Sequence, residues 1–433
     1  MTLSGYAVEE LRLANGLLVL LLETHEAPIV CISVWYRSGS RDDPPGRTGT
    51  AHLLEHMLYK GTQRFPKGGY DQLLHRLGGI TNASTAFDRT NYYILITRDR
   101  YPTGLELEAD RMRGALWSED DLRDERSVVL NELERNEDDP DSALFDRLQA
   151  AAFRAHPYGR PILGRREEVE ALTSGDLRAF YDRHYQPANA YLVIAGDFVT
   201  AEMRARIEET FGAIPAAPGP LRAHADELRQ EGERRVELRK AGGHELLVAG
   251  YKVPSRRHPD SYALDVLAHA LGSGRTARLY RALVERGWAV DVSAENQTVG
   301  LDPFLFLIDL EPARGAPAGR LRRIAEEEIG RIAREGIRAD ELARARKQAR
   351  VGFILRREQV SSRAFLVGES EALGSWRLLE TYLDHLERVT VEDVGAAAGR
   401  YLVPEQSTWA HYLPEGEDEP AARPSLSVEE ARP

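Results

Sequence analysis

With Cys31 as its only cysteine, the chain has no intrachain disulfide and no cysteine-ligated metal centre. Cys31 falls inside the run Ile29-Val30-Cys31-Ile32-Ser33-Val34, where a small buried hydrophobe is expected. Long hydrophobic runs are missing too. Residues 17–22 are apolar over six positions, far short of the ~20 that cross a bilayer, so no membrane span is expected. The N-terminus lacks the basic start and sustained apolar core of a secretion signal, which makes the cytoplasm the expected location. Positive charge is in deficit, 57 Lys and Arg against 69 Asp and Glu for a net −12, and this disfavours a nucleic-acid partner. There is no phosphate-binding loop of the P-loop type and no convincing dinucleotide fingerprint.

What is present suits a globular protein of more than one domain: 433 residues, 42% hydrophobic and 29% charged. An internal repeat divides it. Leu172-Thr173-Ser174-Gly175-Asp176-Leu177 with Pro187 matches Val389-Thr390-Val391-Glu392-Asp393-Val394 with Pro404, at an offset of 217. A helix then a strand follow each copy, over 176–184 and 190–196 in the first, 392–401 and 408–413 in the second. The starts of the halves match as well: a strand over 30–37 then a helix near Thr48, and a strand over 245–251 then a helix near His258. Two short strands are expected within 85–97, around Asp88-Arg89-Thr90. Helices are expected over 104–116, 120–136 and 142–155. The prediction is an α+β fold of two similar domains from an internal duplication, each a mainly antiparallel sheet packed with helices. Residues 1–214 form the first domain, 215–233 a linker opening with Pro215-Ala216-Ala217-Pro218-Gly219-Pro220, 234–415 the second domain, and 416–433 a disordered tail.

The chemistry is concentrated in His52-Leu53-Leu54-Glu55-His56. Positions i and i+4 share one helix face, so both imidazoles can reach one ion. Glu55 sits at the edge of that face, able to reach a metal-bound water without ligating the metal. Zinc lowers the pKa of such a water to about 7, and a neighbouring carboxylate can take its proton. A hydrolytic zinc site needs a third ligand. The best candidate is Glu132 in Ser127-Val128-Val129-Leu130-Asn131-Glu132-Leu133, with 75 residues between it and His56. Glu125, seven residues earlier on the same face, can support the site from behind. Glu134, Glu137, Asp138 and Asp139 lie close by, so a solvated acidic helix is the alternative for Glu132.

His-x-x-Glu-His is the inverzincin order. The chain resembles the pitrilysin/insulinase family of metallopeptidases over nearly its whole length, in particular the small-subunit branch that includes the mitochondrial processing peptidases. The resemblance rests on residues 52–62, on Gly78-Gly79-Ile80-Thr81-Asn82-Ala83-Ser84-Thr85, and on Glu125-Arg126-Ser127-Val128-Val129-Leu130-Asn131-Glu132. It implies that Glu132 is the third ligand of one zinc ion per chain and that Glu125 is its helper. It implies further that Asn82, Ala83, Ser84 and Thr85 form an edge strand pairing with extended peptide substrate; from sequence alone an ordinary hairpin strand is the alternative.

The 217 offset carries His52 onto His269 but Glu55, His56 and Glu132 onto Gly272, Ser273 and Ala349, so the second half is expected to bind no metal. In the family that half often supplies an arginine and a tyrosine to substrate and developing oxyanion. Arg278 resembles that arginine, while Val290 stands where the tyrosine belongs. The resemblance therefore implies a zinc-bearing catalytic subunit whose homologous partner carries the arginine–tyrosine pair. His156-Pro157-Tyr158-Gly159-Arg160-Pro161 reads as a loop bordering the cleft. A zinc endopeptidase of short or unfolded peptides is the expected function. The alternative is a non-catalytic scaffold or peptide-binding subunit of the same family.

Overall fold

The run Ile29–Tyr36 carries no charge and is rich in β-branched and aromatic side chains, and it forms a strand covered on both faces. The computed structural model describes residues 7–220 and 225–415; the tail expected over 416–433 lies outside the described residues. The first half runs β1 (Glu9–Arg12), β2 (Leu18–Glu23), β3 (Ile29–Tyr36), α1 (Thr50–Met57), α2 (Gly69–Arg76), β4 (Ile80–Thr85), β5 (Thr90–Thr97), α3 (Tyr101–Gly114), α4 (Glu119–Asp138), α5 (Pro140–Ala152), α6 (Arg166–Glu170), α7 (Ser174–His184), β6 (Ala190–Gly196) and α8 (Thr200–Thr210). The second half runs β7 (Arg234–Ala241), β8 (Leu246–Val253), α9 (Asp260–Gly272), β9 (Ala289–Asn296), β10 (Phe304–Pro312), α10 (Ala318–Glu335), α11 (Ala339–Leu355), α12 (Val360–Ala372), α13 (Leu378–Arg388), α14 (Val391–Tyr401) and β11 (Ser407–Glu415). Among the described residues no helix is long and apolar enough to cross a membrane.

The sheets are ordered β1-β2-β6-β3-β5-β4 and β7-β11-β8-β10-β9. With β1 set aside the two orders are the same. Each sheet has one parallel pairing, β2 with β6 and β7 with β11, among antiparallel neighbours. The duplicated α+β architecture expected from the sequence is therefore present in the topology. The 217 offset carries β3 onto β8 and α7 onto α14 residue for residue. It fails at the first helices, because the connection before α1 is longer than the one before α9. The pairing of His52 with His269 thus rests on a register the structure does not keep. His269 sits in α9 with Nδ1 2.9 Å from the Ser273 hydroxyl.

Pleating splits β2 between two cores. Val19 and Leu21 join the core that includes Leu53 and Leu54 of α1, while Leu18, Leu20 and Leu22 face the opposite side with Cys31 and Trp35. That second face is covered by α12, which comes from the other half and packs on β3 and β6. Reciprocally, α5 of the first half lies on β7, β8 and β11. The two halves thus exchange equivalent helices. Trp35 stacks on Tyr191 at 5.9 Å and takes the edge of Phe365 from α12 at 5.7 Å. Gly368 permits this approach, since a Cβ there would lie 2.2 Å from the Trp35 ring.

Candidate functional site

Helix α1 starts at Gly49, held at φ 86°. The buried Asp43 carboxylate accepts the N–H groups of Gly49 and Ala51, each at 2.8 Å, and so satisfies donors at the open helix end. Leu53, Leu54 and Met57 anchor α1 in the core. His52, Glu55 and His56 then face a cleft of about 580 Å³. The opposite wall is α4, begun by a capping box between Ser118 and Asp121. On α4, Glu125, Val129 and Glu132 share one face. Val129 is buried, which brings both carboxylates to the cleft.

The two imidazoles and Glu132 converge. Glu132 Oε2 lies 3.8 Å from His52 Nε2 and 3.7 Å from His56 Nε2. One ligand atom from each of the three falls within 4.8 Å of the others, and among the described residues this is the one such group of His, Cys, Asp or Glu. These separations exceed hydrogen-bond length, so the three candidate ligand atoms face one another across a gap without bonding. Two nitrogens and a carboxylate oxygen are a donor set of hydrolytic zinc sites, so the residues fit a zinc ion. His56 Nδ1 donates to Glu125 Oε2 at 3.1 Å, which leaves Nε2 as the free acceptor. Lys60 holds the other oxygen of Glu125.

Electrostatics follow burial. His52 is pushed down to about 3 by desolvation and by the adjacent His56, so it is neutral and able to coordinate at ordinary pH. Burial also acts to lower His56, but the Glu125 hydrogen bond and the charges of Glu55, Glu125 and Glu132 outweigh it and raise the ring. Glu125 is held below the usual carboxylate range by the His56 hydrogen bond and by Lys60. Glu55 is raised by burial, offset in part by the Thr85 hydroxyl, which donates to its Oε2 at 2.6 Å. A buried carboxylate of raised pKa beside a candidate metal position suits a proton-accepting role.

Asn82, Ala83, Ser84 and Thr85 line the same cleft from β4. Among the described residues this strand pairs with β5 alone and ends the sheet, so its other edge is free there. The Ala83 N–H points away from β5 and is taken by Asn82 Oδ1 at 2.8 Å. Arg278 is not brought to this cleft. Glu341 engages it through Nε at 3.0 Å and Nη2 at 2.8 Å, and it lines a separate pocket with Arg281, Arg286 and Arg338. Val290 is exposed on β9. His156 and Tyr158 are buried in contact with the second half and do not line the cleft; Ile162 and Leu163 of the following loop line it instead. Sequence reasoning gave no role to Tyr59, Ile162 or Leu163, which supply the apolar part of the cleft. Tyr59 follows the zinc motif by three residues, a signal that was readable; the other two arrive only through tertiary packing.

A family model described as Insulinase (Peptidase family M16) matches residues 18–166, and one described as Peptidase M16 inactive domain matches 171–349. The chain is 33% identical to an uncharacterized zinc protease of Mycobacterium tuberculosis, covering 86% of this chain and 85% of that one. It is 29% identical to the zinc protease PqqE of Helicobacter pylori, covering 94% and 93%. A solved structure of a protease from Helicobacter pylori superposes with a TM-score of 0.89 at 28% identity, over 94% of this chain and 100% of that one.

Proposed function

The chain belongs to the insulinase family of peptidases, family M16, and on that footing we propose that it is a zinc-dependent endopeptidase of short or unfolded peptides. The observation that carries this reading is the convergence of His52 Nε2, His56 Nε2 and Glu132 within 4.8 Å beside the buried Glu55 carboxylate.

His52, His56 and Glu132 would hold the ion. Bound zinc would supply a Lewis acid that makes water nucleophilic at neutral pH and polarises the scissile carbonyl. Glu125 fixes the His56 tautomer and thereby the direction of its Nε2 lone pair. Thr85 orients the Glu55 carboxylate. Glu55 takes a proton from the attacking water as the C–O bond forms, and delivers it to the amine nitrogen as the C–N bond breaks. The free edge of β4 receives the substrate backbone as an added strand, which gives affinity with little dependence on side chains. Valine at position 290 cannot donate a hydrogen bond, and Arg278 is engaged by Glu341. Both features favour a catalytic subunit that works beside a homologous partner supplying an arginine–tyrosine pair.

The test is peptide cleavage by the zinc-loaded chain, alone and mixed with a homologous partner, against Glu55→Gln. We expect cleavage to fall about 10²–10⁴-fold in the variant with zinc content unchanged. Wild-type cleavage in zinc-loaded Glu55→Gln removes this mechanism. A wild-type chain that binds zinc and peptide yet cleaves nothing, alone or paired, establishes the rival peptide-binding subunit. That rival is worth testing because the model matching 171–349 is described as an inactive domain.

A further inference from the structure

β4 is short and, among the described residues, hydrogen-bonded to a strand on one side only, so its own pairing is a weak means of holding it still while a second strand docks. The hairpin that follows it carries a cation placed to do so. The Arg89 side chain is 17% exposed. Its Nη1 donates to the Ser84 carbonyl at 3.3 Å, to the Ser84 hydroxyl, and to Asn91 Oδ1 at 2.5 Å on β5. The Ser84 hydroxyl in turn donates to Asn91 at 2.7 Å. The guanidinium lies 5.1 Å from the Trp35 ring centroid, and Nη2 is 4.0 Å from Glu369 of α12, the helix contributed by the other half. Desolvation works against the charge of Arg89. A buried cation is costly unless several partners hold it, and here those partners belong to the strand that borders the cleft. Ser84 lies between Ala83, whose N–H points off the free edge, and Thr85, whose hydroxyl orients Glu55.

We propose that Arg89 is a positioning residue for substrate, gripping Ser84 so that the free edge of β4 is rigid when an extended peptide adds to it, with Glu369 bracing the guanidinium from the second half. This inference takes the peptidase reading as its setting, but one of its readouts does not depend on turnover. Arginine suits the task because Nη1 reaches Ser84 and Asn91 while Nη2 faces Glu369, two directions that the single nitrogen of a lysine ammonium cannot serve at once.

The experiment compares zinc-loaded wild type with Arg89→Gln, Arg89→Lys and Glu369→Gln. It follows amide hydrogen exchange across β4 and α1, zinc content, and kinetics on an unstructured quenched-fluorescence peptide. In Arg89→Gln we expect β4 exchange to accelerate about tenfold, equivalent to one lost charge-assisted hydrogen bond. KM rises by a similar factor, kcat stays within about threefold, and α1 exchange and zinc content do not change. Arg89→Lys recovers part of the KM, and Glu369→Gln shifts exchange and KM in the same direction by a smaller factor. Unchanged β4 exchange in both Arg89→Gln and Glu369→Gln overturns the proposal, as does a loss of zinc with uniform acceleration of exchange, which would make Arg89 a general stability residue. If the wild-type chain proves inactive the peptidase reading fails, and β4 exchange still decides the role of Arg89.

Discussion

Glu125 shows how one side chain sets the competence of another. Its carboxylate accepts from His56 Nδ1 and is itself held by Lys60, so the imidazole has one tautomer and one orientation available. Glu125→Gln leaves a neutral amide that can still accept this hydrogen bond but no longer polarises the ring, so His56 Nε2 becomes a weaker donor to a metal. Outer partners of this kind are worth about 10–100-fold in metal affinity. Zinc affinity of the variant, measured by competition with a chelator, is expected to fall by that factor while the fold is retained; an unchanged affinity would show that the His56–Glu125 contact is incidental. Much of this site was legible in the sequence, because His52, Glu55 and His56 share one turn of helix and helical spacing alone places them. Glu132 was not settled by spacing, since it stands among other acids on α4 and only the packing of α4 on α1 selects it. Arg89 was unreadable as a functional residue for a related reason: it acts through Ser84 and Glu369, and no local pattern joins these three.

Elements repeat the same lesson. Strands β3 and β6 and helices α4 and α7 were recognisable from hydrophobic period, whereas the edge role of Asn82, Ala83, Ser84 and Thr85 came only from the family resemblance, an ordinary hairpin strand being the reading of the sequence alone. The exchange of α5 and α12 was not recognisable, because an amphipathic helix shows that it has a buried face but not which sheet receives it. At this level Gly368 is the critical position. Its carbonyl accepts from Tyr191 at 2.8 Å, and a Cβ would fall 2.2 Å from the fully buried Trp35 ring. The ring cannot retreat, being stacked on Tyr191 and flanked by Phe365. Gly368→Ala should gain helix propensity of about 1 kcal/mol and lose more to overpacking, which costs about 1–3 kcal/mol. We expect a net drop in thermal stability, reported by near-UV signals of Trp35. A neutral or stabilising outcome would mean that α12 can shift along the sheet, and the interlocked packing described above would be wrong.

At the scale of the molecule the two halves are joined by charge as well as by exchanged helices. Arg41 bridges Asp88 at 2.8 Å and Asp302 of the second half at 2.7 Å. Asp302 also meets His156 Nε2 at 3.0 Å, and its backbone N–H donates to the Tyr158 hydroxyl at 3.2 Å. Asp88 accepts from Leu301 N at 2.9 Å, again across the two halves. The hydrogen bond from His156 and the Arg41 guanidinium hold the Asp302 carboxyl down at about 2, against an ordinary value of 3.8. An acid with a depressed pKa stabilises the folded state fully above its unfolded value, and loses that contribution as pH falls towards its folded value. Wild type should therefore exceed Asp302→Asn in stability at pH 7, and the gap should close as pH falls from about 4 to about 2. Solvent reaches this carboxylate, so screening limits the gap at pH 7 to about 1 kcal/mol. Paired thermal melts of the two proteins across that range provide the measurement. A gap that persists undiminished at pH 2 would assign the stabilisation to packing of the 300–302 loop on Tyr158. A gap that closes as predicted assigns it to the charged junction, which then sets how firmly α12, and with it Glu369 behind β4, is carried by the second half.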